Sequence, residues 1–375
     1  MSVARKSNKP VQPGKLNSVS RAWFRRRLFG WFVIHQRPFP WRKNRDPYAI
    51  WVSEIMLQQT QAATVVPYFQ RFLRSFPTLQ ALAHASEHEV LQLWEGLGYY
   101  RRARDMHRAA RQMLADDDGQ FPRDPVVLQA LPGFGRYTVG AVLSQAFDCR
   151  LPIVETNSMR VLCRWFGLKG NPRAGPMQKK VWHLAEELLP SKRVGEFNQA
   201  LMELGALVCT PQGPRCEDCP LSRHCQARRF GLQDRIPPRS RPVAIQEVAE
   251  VAMVVYRQKK VLLVQRPSVG RWANMWEFPD AAMNPGEKAA AVGTRLLADN
   301  TGIQAVPETE ILTLRHGITR YRITMVCLLA RYRSGQFSSS VYQQGKWVGL
   351  GELAKYPVSA PQRRLARFLT EKHAI

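Results

Sequence analysis

Apolar residues recur three and four positions apart through most of residues 20 to about 207, which is the spacing of amphipathic helices. The stretches with this pattern are Ile55–Phe76, Glu87–Trp94, Ala103–Leu114, Thr138–Ala146, Met159–Phe166, Gln178–Leu189 and Phe197–Val208. Proline and glycine signals such as Phe76-Pro77 and Pro132-Gly133 separate them. The pattern predicts a mostly α domain.

The periodicity changes near residue 247. Val248–Tyr256, Lys260–Gln265 and Tyr321–Tyr332 have the composition of strands, whereas Lys288–Asp299 has a helical pattern, so we expect an α+β domain. A basic segment rich in Pro and Arg precedes it and has neither period. The predicted parts are a flexible basic tail (1–18), a helical domain (19–228), a linker (229–246) and the α+β domain (247–375).

Composition narrows the class of partner. The 375 residues carry 55 Lys and Arg against 29 Asp and Glu, a net charge of +26. Residues 1–45 contain no acidic residue. Such an excess is typical of proteins that contact polyanions, so nucleic acid is the leading partner. No apolar run approaches the roughly 20 residues of a membrane-spanning helix. The start lacks the apolar core of a secretory signal, so we expect a cytoplasmic, nucleoid-associated protein if the source is bacterial; a basic start also suits organellar or nuclear targeting.

Four of the seven cysteines are grouped with spacings of six, two and five residues: Cys209, Cys216, Cys219 and Cys225. Four thiolates on a short segment rich in turns can converge on one centre. Disulfides are the alternative, which a reducing cytosol disfavours. Four sulfur ligands suit either tetrahedral zinc or a cubane iron–sulfur cluster, and the spacing alone does not choose between them.

The segment Leu131–Gly140 predicts a helical hairpin. Leu-Pro-Gly ends one helix, and a new helix starts near Thr138. Gly133 and Gly135 allow the turn and a close approach of backbone to a ligand, so the N–H groups at the new helix start can hold a phosphate. Any helical hairpin shares this pattern, so the acidic residue that follows, Glu155, and the cysteine group strengthen a DNA-binding interpretation.

Three further segments make the chain resemble the MutY-type adenine DNA glycosylases, a branch of the helix-hairpin-helix (endonuclease III) superfamily. They are Pro40–Arg42 with Asp46–Tyr48, Trp51–Gln61 and Gly96–Arg104. The resemblance covers about residues 20–228 and continues more weakly through 248–375. It implies a 4Fe-4S cluster on the four grouped cysteines, and a monomer acting on double-stranded DNA. Family members remove adenine mispaired with 8-oxoguanine or G in base excision repair.

The resemblance also implies which residues contact DNA or the extruded base. Gln58, Gln59 and Tyr99 match the positions of the wedge that fills the vacated stack, although ordinary packing of a polar turn is the alternative. The full implied set in the helical domain is Trp41, Arg42, Leu57, Gln58, Gln59, Thr60, Tyr99, Gly133, Gly135 and Gln199.

Two carboxylates match the catalytic positions. Glu54 matches the acid that protonates the leaving adenine, and its apolar surroundings should raise its pKa by desolvation. Glu155 stands where the family has Asp, with Thr156 in place of Gly, so the charge is kept and its reach is changed. We expect Glu155 to stabilise the cationic sugar of the transition state, assisted by Asn157 and Tyr137.

Tyr137 predicts a monofunctional enzyme. Bifunctional relatives carry a lysine here, whose amine forms a Schiff base with the sugar and leads to strand cleavage. A phenol cannot do so, and we expect an abasic product. The competing hypotheses are a related glycosylase with another target mispair, and a non-enzymatic damage-binding protein whose Glu155 marks a lost active site.

Residues 248–375 resemble a Nudix fold. Glu287, Arg295 and Gly302 fall at the spacing of the hydrolase box, but the positions of its metal-binding glutamates hold Leu296, Asp299 and Asn300. Without a carboxylate cage for Mg²⁺ we expect no nucleotide hydrolysis. The resemblance instead implies a domain that recognises the opposite base.

In the family that recognition loop reads Phe-Ser-His, whereas this chain has Ile318, Thr319 and Arg320. Arg320 replaces an imidazole by a permanent charge, and a simple β-turn is the alternative interpretation. Nearby His316 is expected to be a hydrogen-bonded structural residue.

Overall fold

The computed structural model describes residues 18–116, 119–238 and 244–372. The predicted tail is therefore outside the described residues except for Ser18, and so are residues 239–243 of the predicted linker. The helices of the described chain, in order, are α1 (Ser18–His35), α2 (Pro47–Leu57), α3 (Ala62–Ser75), α4 (Leu79–His84), α5 (Glu87–Trp94), α6 (Arg101–Asp116), α7 (Pro125–Ala130), α8 (Arg136–Phe147), α9 (Thr156–Phe166), α10 (Gly175–Leu188), α11 (Val194–Leu207), α12 (Gln226–Arg229), α13 (Ala289–Thr301) and α14 (Ala360–Lys372).

The strands lie between α12 and α14. They are β1 (Gln246–Arg257), β2 (Lys260–Gln265), β3 (Trp276–Glu277), β4 (Asp280–Met283), β5 (Gln304–Ile318), β6 (Tyr321–Ser334) and β7 (Gln344–Gly349). Short 3₁₀ helices occur at Pro40–Arg42, Ser222–His224 and Leu350–Lys355. No helix in these described ranges is long and apolar enough to cross a membrane.

The chain forms two compact units. The first combines residues 1–59 and 115–240, and the second combines 60–114 and 241–375. Helices α3 to α6 therefore group with the strand-rich region, where Arg363 pairs with Glu95 at 2.6 Å and the Arg104 guanidinium donates to the Ala273 carbonyl at 2.8 Å. The bounds expected from composition, 19–228 and 247–375, stay a prediction.

The first unit is built around α11, which packs against α1, α8 and α9. Its core collects one apolar face each from α1, α9, α10 and α11, including Phe24, Leu162 and Phe197. This arrangement is what the spacing of three and four residues predicts. The cysteine segment starts where α11 ends, and α12 packs back on α9.

One predicted helix is wrong. The stretch Ile55–Phe76 is interrupted between Leu57 and Ala62. Gln58 ends α2 with extended ψ, and Gln59 has a φ of 58°, which takes the backbone out of the helix. The apolar residues on either side keep a helical spacing across the break, so periodicity alone could not reveal it.

The second unit contains a mixed seven-stranded sheet with the order β3-β2-β1-β6-β5; β4 also pairs with β1, and β7 with β2. Strands β1 and β6 are parallel, and the other pairs are antiparallel. Val251–Val255 is buried throughout because α13 covers one face and α14 the other. The predicted α+β fold of residues 247–375 is confirmed, although β3, β4, β5, β7 and α14 were not predicted. In the rest of the chain, α1, α4, α7 and α12 also had no predicted helical stretch.

Candidate active site

Glu54 lies in the most deeply buried helix of the first unit. Asp46 starts α2 by accepting the backbone N–H groups of Tyr48 and Ala49, and every residue from Tyr48 to Met56 is buried. Only 4% of Glu54 is exposed. Burial raises the pKa of its carboxyl, and the nearby Glu155 charge acts in the same direction. The apolar surroundings expected from the sequence are therefore present.

Both oxygens of Glu54 accept hydrogen bonds from α8. The Tyr137 hydroxyl donates to Oε2 at 2.7 Å, and the Gln145 side-chain amide donates to Oε1 at 2.8 Å. Burial and the Glu54 charge raise the pKa of Tyr137 well above its usual value, so Tyr137 is a neutral donor. These bonds hold the carboxyl in one orientation.

Sequence reasoning missed Gln145. It is a polar residue within the fully buried stretch Thr138–Ala146, and that conflict with its surroundings was the available signal. Gln199, which was expected to contact the base, donates from Nε2 to the Gln145 Oε1 at 2.8 Å. Glu54, Tyr137, Gln145 and Gln199 thus form one continuous network.

The predicted hairpin precedes Tyr137. Helix α7 ends at Ala130, Gly133 has a φ of 80°, and α8 starts after Gly135. The start of α8 has no side-chain cap, which leaves its first N–H groups available to a ligand. Phe134 is buried and its ring stacks on Trp51 with centroids 5.2 Å apart. The hairpin is thereby fixed to the helix that carries Glu54.

Glu155 is the N-cap of α9. Its two carboxylate oxygens accept the backbone N–H groups of Asn157 and Ser158, each at 2.7 Å. Burial raises the pKa of Glu155, and the two backbone donors and Arg160 oppose that rise. The longer side chain is therefore compatible with an ordered, partly buried carboxylate at the start of a helix, where the dipole favours its charged form.

Arg160 joins this end of α9 to the cysteine segment. Its guanidinium donates to the Asn157 Oδ1 and to the Cys209 carbonyl, both at 2.7 Å, and to the Gly205 carbonyl at 2.8 Å. Gly205 allows α11 to approach this closely, because a Cβ there would lie 2.7 Å from the Cβ and the carbonyl oxygen of Asn157.

The cysteine segment brings its four thiols together. Cys209, Cys216, Cys219 and Cys225 line one small cavity in the first unit. The Arg164 guanidinium donates to the Cys209 Sγ at 3.3 Å. No group of three or more His, Cys, Asp or Glu in the described part of the chain is arranged to hold a metal ion. The convergence of four thiols around one cavity, beside a cationic donor, fits a bound group that takes thiolate ligands.

Glu203 holds the loop that carries Trp41 and Arg42. Its buried carboxylate accepts from the backbone N–H and guanidinium of Arg37 at 2.8–3.0 Å and from the Arg42 guanidinium at 3.0 Å. These hydrogen bonds lower the pKa of Glu203 although burial opposes them. Trp41 is buried and stacks on Phe39. Sequence reasoning did not identify Glu203.

Several of the residues expected to contact DNA, including the wedge residues Gln59 and Tyr99, lie at turns. In the first unit, Leu57 is the last residue of α2, and Gln59 is exposed with a left-handed backbone. In the second unit, Tyr99 is 49% exposed and has a φ of 47°. The Thr60 hydroxyl accepts from the Arg102 guanidinium at 3.4 Å. Left-handed backbone at a non-glycine residue costs free energy and is common at binding sites.

The predicted recognition loop is the tip of the β5–β6 hairpin. Ile318 pairs with Tyr321, Thr319 has a φ of 51°, and the Arg320 guanidinium donates to the Tyr321 hydroxyl at 3.0 Å. The expectation for His316 is wrong. Both of its ring nitrogens are buried without a hydrogen-bond partner in the described residues, and burial lowers its pKa.

At the positions that match the hydrolase box, Glu287 pairs with Arg295 at 2.9 Å, and Leu296, on α13, is buried in the core.

Comparison with known proteins agrees with this geometry. Residues 52–187 match the family described as HhH-GPD superfamily base excision DNA repair protein, and residues 250–367 match the NUDIX domain. A solved thermostable thymine-DNA glycosylase is 31% identical with a TM-score of 0.51, covering 56% of this chain and 97% of that chain.

Curated relatives span both units. The adenine DNA glycosylase of Rattus norvegicus is 33% identical over 96% of this chain and 81% of its own length. That of Buchnera aphidicola (subsp. Schizaphis graminum) is 35% identical over 68% of this chain and 74% of its own length. The human enzyme is 37% identical over 71% of this chain, and the match spans 58% of its length. The chain belongs to the adenine DNA glycosylase family.

Proposed function

We propose that this protein is a monofunctional DNA glycosylase that hydrolyses the N-glycosidic bond of adenine mispaired with 8-oxoguanine or G. The observation that carries the proposal is the buried Glu54 carboxyl, whose two oxygens are held by Tyr137 and Gln145. Adenine is a poor leaving group unless a ring nitrogen is protonated, so the reaction needs an acid that keeps its proton near neutral pH. A raised pKa gives Glu54 that property.

Glu54 and Glu155 have different roles in the proposed reaction. Glu54 donates its proton to the departing adenine, and the resulting carboxylate is stabilised by the Tyr137 hydroxyl and the Gln145 amide. The sugar left behind is cationic, and the ionised Glu155 stabilises it. Burial and the Glu155 charge both raise the pKa of Glu54, which favours a protonated Glu54 beside an ionised Glu155.

Tyr137 supports release of the base without strand cleavage. The side chain that faces Glu54 from the start of α8 is a phenol with a raised pKa and not an amine. It cannot form a Schiff base with the sugar, so water completes the reaction and leaves an abasic site.

DNA is held by backbone and by turns. The uncapped start of α8 offers N–H groups and a helix dipole to a phosphate. Gln59 in the first unit and Tyr99 in the second are each exposed on a turn, where a side chain can enter a DNA stack. The β5–β6 tip, with Ile318, Thr319 and Arg320, contacts the opposite base. The protein acts as a monomer on one duplex.

We propose that the four cysteines hold a 4Fe-4S cluster, which when bound serves to fix the segment between α11 and α12. Their placement around one cavity and the Arg164 donor to Cys209 support this group. Arg160 connects the same segment to Asn157, so an ordered cysteine segment keeps the start of α9 in place.

The test is single-turnover excision from duplexes with adenine opposite 8-oxoguanine. Glu54→Gln should reduce the rate by at least about 10³-fold, and Glu155→Gln by about 10²-fold, since the first removes the acid and the second one stabilising charge. Glu196→Gln, a partly exposed position on α11, is the control and should match the wild type. Near-normal excision by Glu54→Gln would contradict the proposal.

A further inference from the structure

Gln145 links two site residues through opposite ends of one amide. Its Nε2 donates to the Glu54 Oε1 and its Oε1 accepts from the Gln199 Nε2, both at 2.8 Å. The side chain is 8% exposed, so water cannot replace either bond at little cost.

The network has a fixed polarity. Gln145 donates to the Glu54 Oε1, so the proton of Glu54 belongs on Oε2, and Oε1 is the carbonyl acceptor. Gln145 then presents its NH₂ to Glu54 and its carbonyl to Gln199. If the Gln145 amide alone turned over, two acceptors would face each other at Glu54 and two NH₂ groups at Gln199. Glu54 therefore sets the orientation of the Gln145 amide, and Gln145 in turn sets the orientation of the Gln199 amide.

Gln199 is left with one available acceptor. Its NH₂ is committed to Gln145, and its Oε1 accepts no hydrogen bond from any described residue. Gln199 is only partly buried, so this oxygen is accessible to a ligand. Adenine carries an exocyclic amino group, which is a donor, at the position where a 6-oxopurine carries an acceptor. A fixed carbonyl oxygen therefore favours adenine.

We propose that Gln145 is a positioning residue that fixes the amide of Gln199, so that the Gln199 carbonyl oxygen accepts a hydrogen bond from the amino group of adenine and disfavours 6-oxopurines. This inference rests on the proposed function, because it assigns base selection to the same site. Gln145 has a second, separable effect, since it also holds the Glu54 carboxyl.

The experiment measures single-turnover release of adenine, hypoxanthine and unsubstituted purine, each opposite 8-oxoguanine, by the full-length protein. Purine has no 6-substituent and reports the effect on Glu54 alone. Gln145→Leu frees Gln199 to turn over, so the ratio of adenine to hypoxanthine release should fall about ten-fold relative to the wild type, the value of roughly one hydrogen bond. Purine release should fall less than adenine release.

Gln145→Glu is the matched variant. Its carboxyl oxygen still accepts from Gln199, so the ratio of adenine to hypoxanthine should stay near the wild-type value even if all three rates fall. In a Gln199→Met background, where the available acceptor is removed, Gln145→Leu should not change the ratio further.

Three results would overturn the inference. In the first, Gln145→Leu lowers all three rates by one common factor, which is the behaviour of a merely structural residue. In the second, Gln145→Leu changes the ratio equally with and without Gln199. In the third, the wild type releases no adenine, in which case the proposed function fails and the inference fails with it. Thermal melting and affinity for undamaged DNA establish that each variant is folded. If Gln145→Leu does not fold, Gln145→Glu tests the inference, because a changed ratio of adenine to hypoxanthine in that variant would overturn it.

Discussion

Replacing Glu203 by Gln should destabilise the first unit far more than a surface change on the same helix. The carboxylate is 2% exposed and pairs with Arg37, which is 39% exposed, and with Arg42, which is 13% exposed. Arg37 can turn to water when the charge is removed. The Arg42 guanidinium stays buried, with the Arg37 carbonyl and at most the one amide oxygen of the new glutamine as acceptors.

The expected magnitude follows from that difference. Removing one partner of a fully buried ion pair costs about 3–5 kcal/mol, and partial rehydration of Arg37 places this case near the lower end, about 3 kcal/mol. The control is Glu196→Gln, whose partner Arg193 is half-exposed, and which should cost at most about 1 kcal/mol.

Urea unfolding at pH 7, followed by tryptophan fluorescence, measures both variants. The pKa of Glu203 is lowered in the folded protein, so its stabilising contribution is present above the ordinary Glu pKa and is lost as the pH falls through the lowered value. The gap between wild type and Glu203→Gln should therefore narrow in acid. A loss of stability below about 1 kcal/mol, or one equal to that of Glu196→Gln, would refute the claim that buried Glu203 holds the loop through Arg37 and Arg42.

Three further outcomes are expected. Gly205→Ala should force α11 away from Asn157, which should lower the free energy of unfolding by about 1–3 kcal/mol and slow excision at least ten-fold. Gly175→Ala, where nothing lies within 4 Å of the new methyl, should change neither stability nor rate. Equal stability and rate for the two variants would exclude the close approach of α11 to Asn157. Burial raises the pKa of Glu54, so its contribution to wild-type stability is lost as the pH rises through that raised value. The free energy of unfolding of Glu54→Gln, relative to the wild type, should therefore increase by up to about 1.4 kcal/mol per pH unit. A difference between the two proteins that does not change with pH would contradict the raised pKa. Borohydride should trap no covalent protein–DNA adduct with the wild type, and trapping at the efficiency of a true lyase would show that Tyr137 does not define the chemistry.

Local pattern predicted α8, α9, α10 and α11 of the first unit, where apolar residues recur at helical spacing. It failed where the burial was two-sided or the backbone turned. The join between α2 and α3 depends on the left-handed Gln59, and the short strands β3 and β4 depend on pairing with distant residues. Such pairing is not encoded in a residue's immediate neighbours.

The residues of the site were named by resemblance, and their relations came from the structure. The sequence offers no reason to connect Gln145 on α8 with Gln199 on α11, or Glu203 with Arg37. Those contacts exist because α8 and α11 pack together and α11 faces the loop after α1. A buried polar side chain in an apolar helix was the only local sign of them.

Single-turnover excision by the purified, cluster-loaded protein tests the central claim most directly. Duplexes carry adenine opposite 8-oxoguanine, G, C or T, and each reaction is analysed with and without alkali, which breaks the strand at an abasic site. We predict that adenine is released fastest opposite 8-oxoguanine and that strands break only after alkali. Binding of all four duplexes without release of adenine would contradict the account and favour a damage-binding protein.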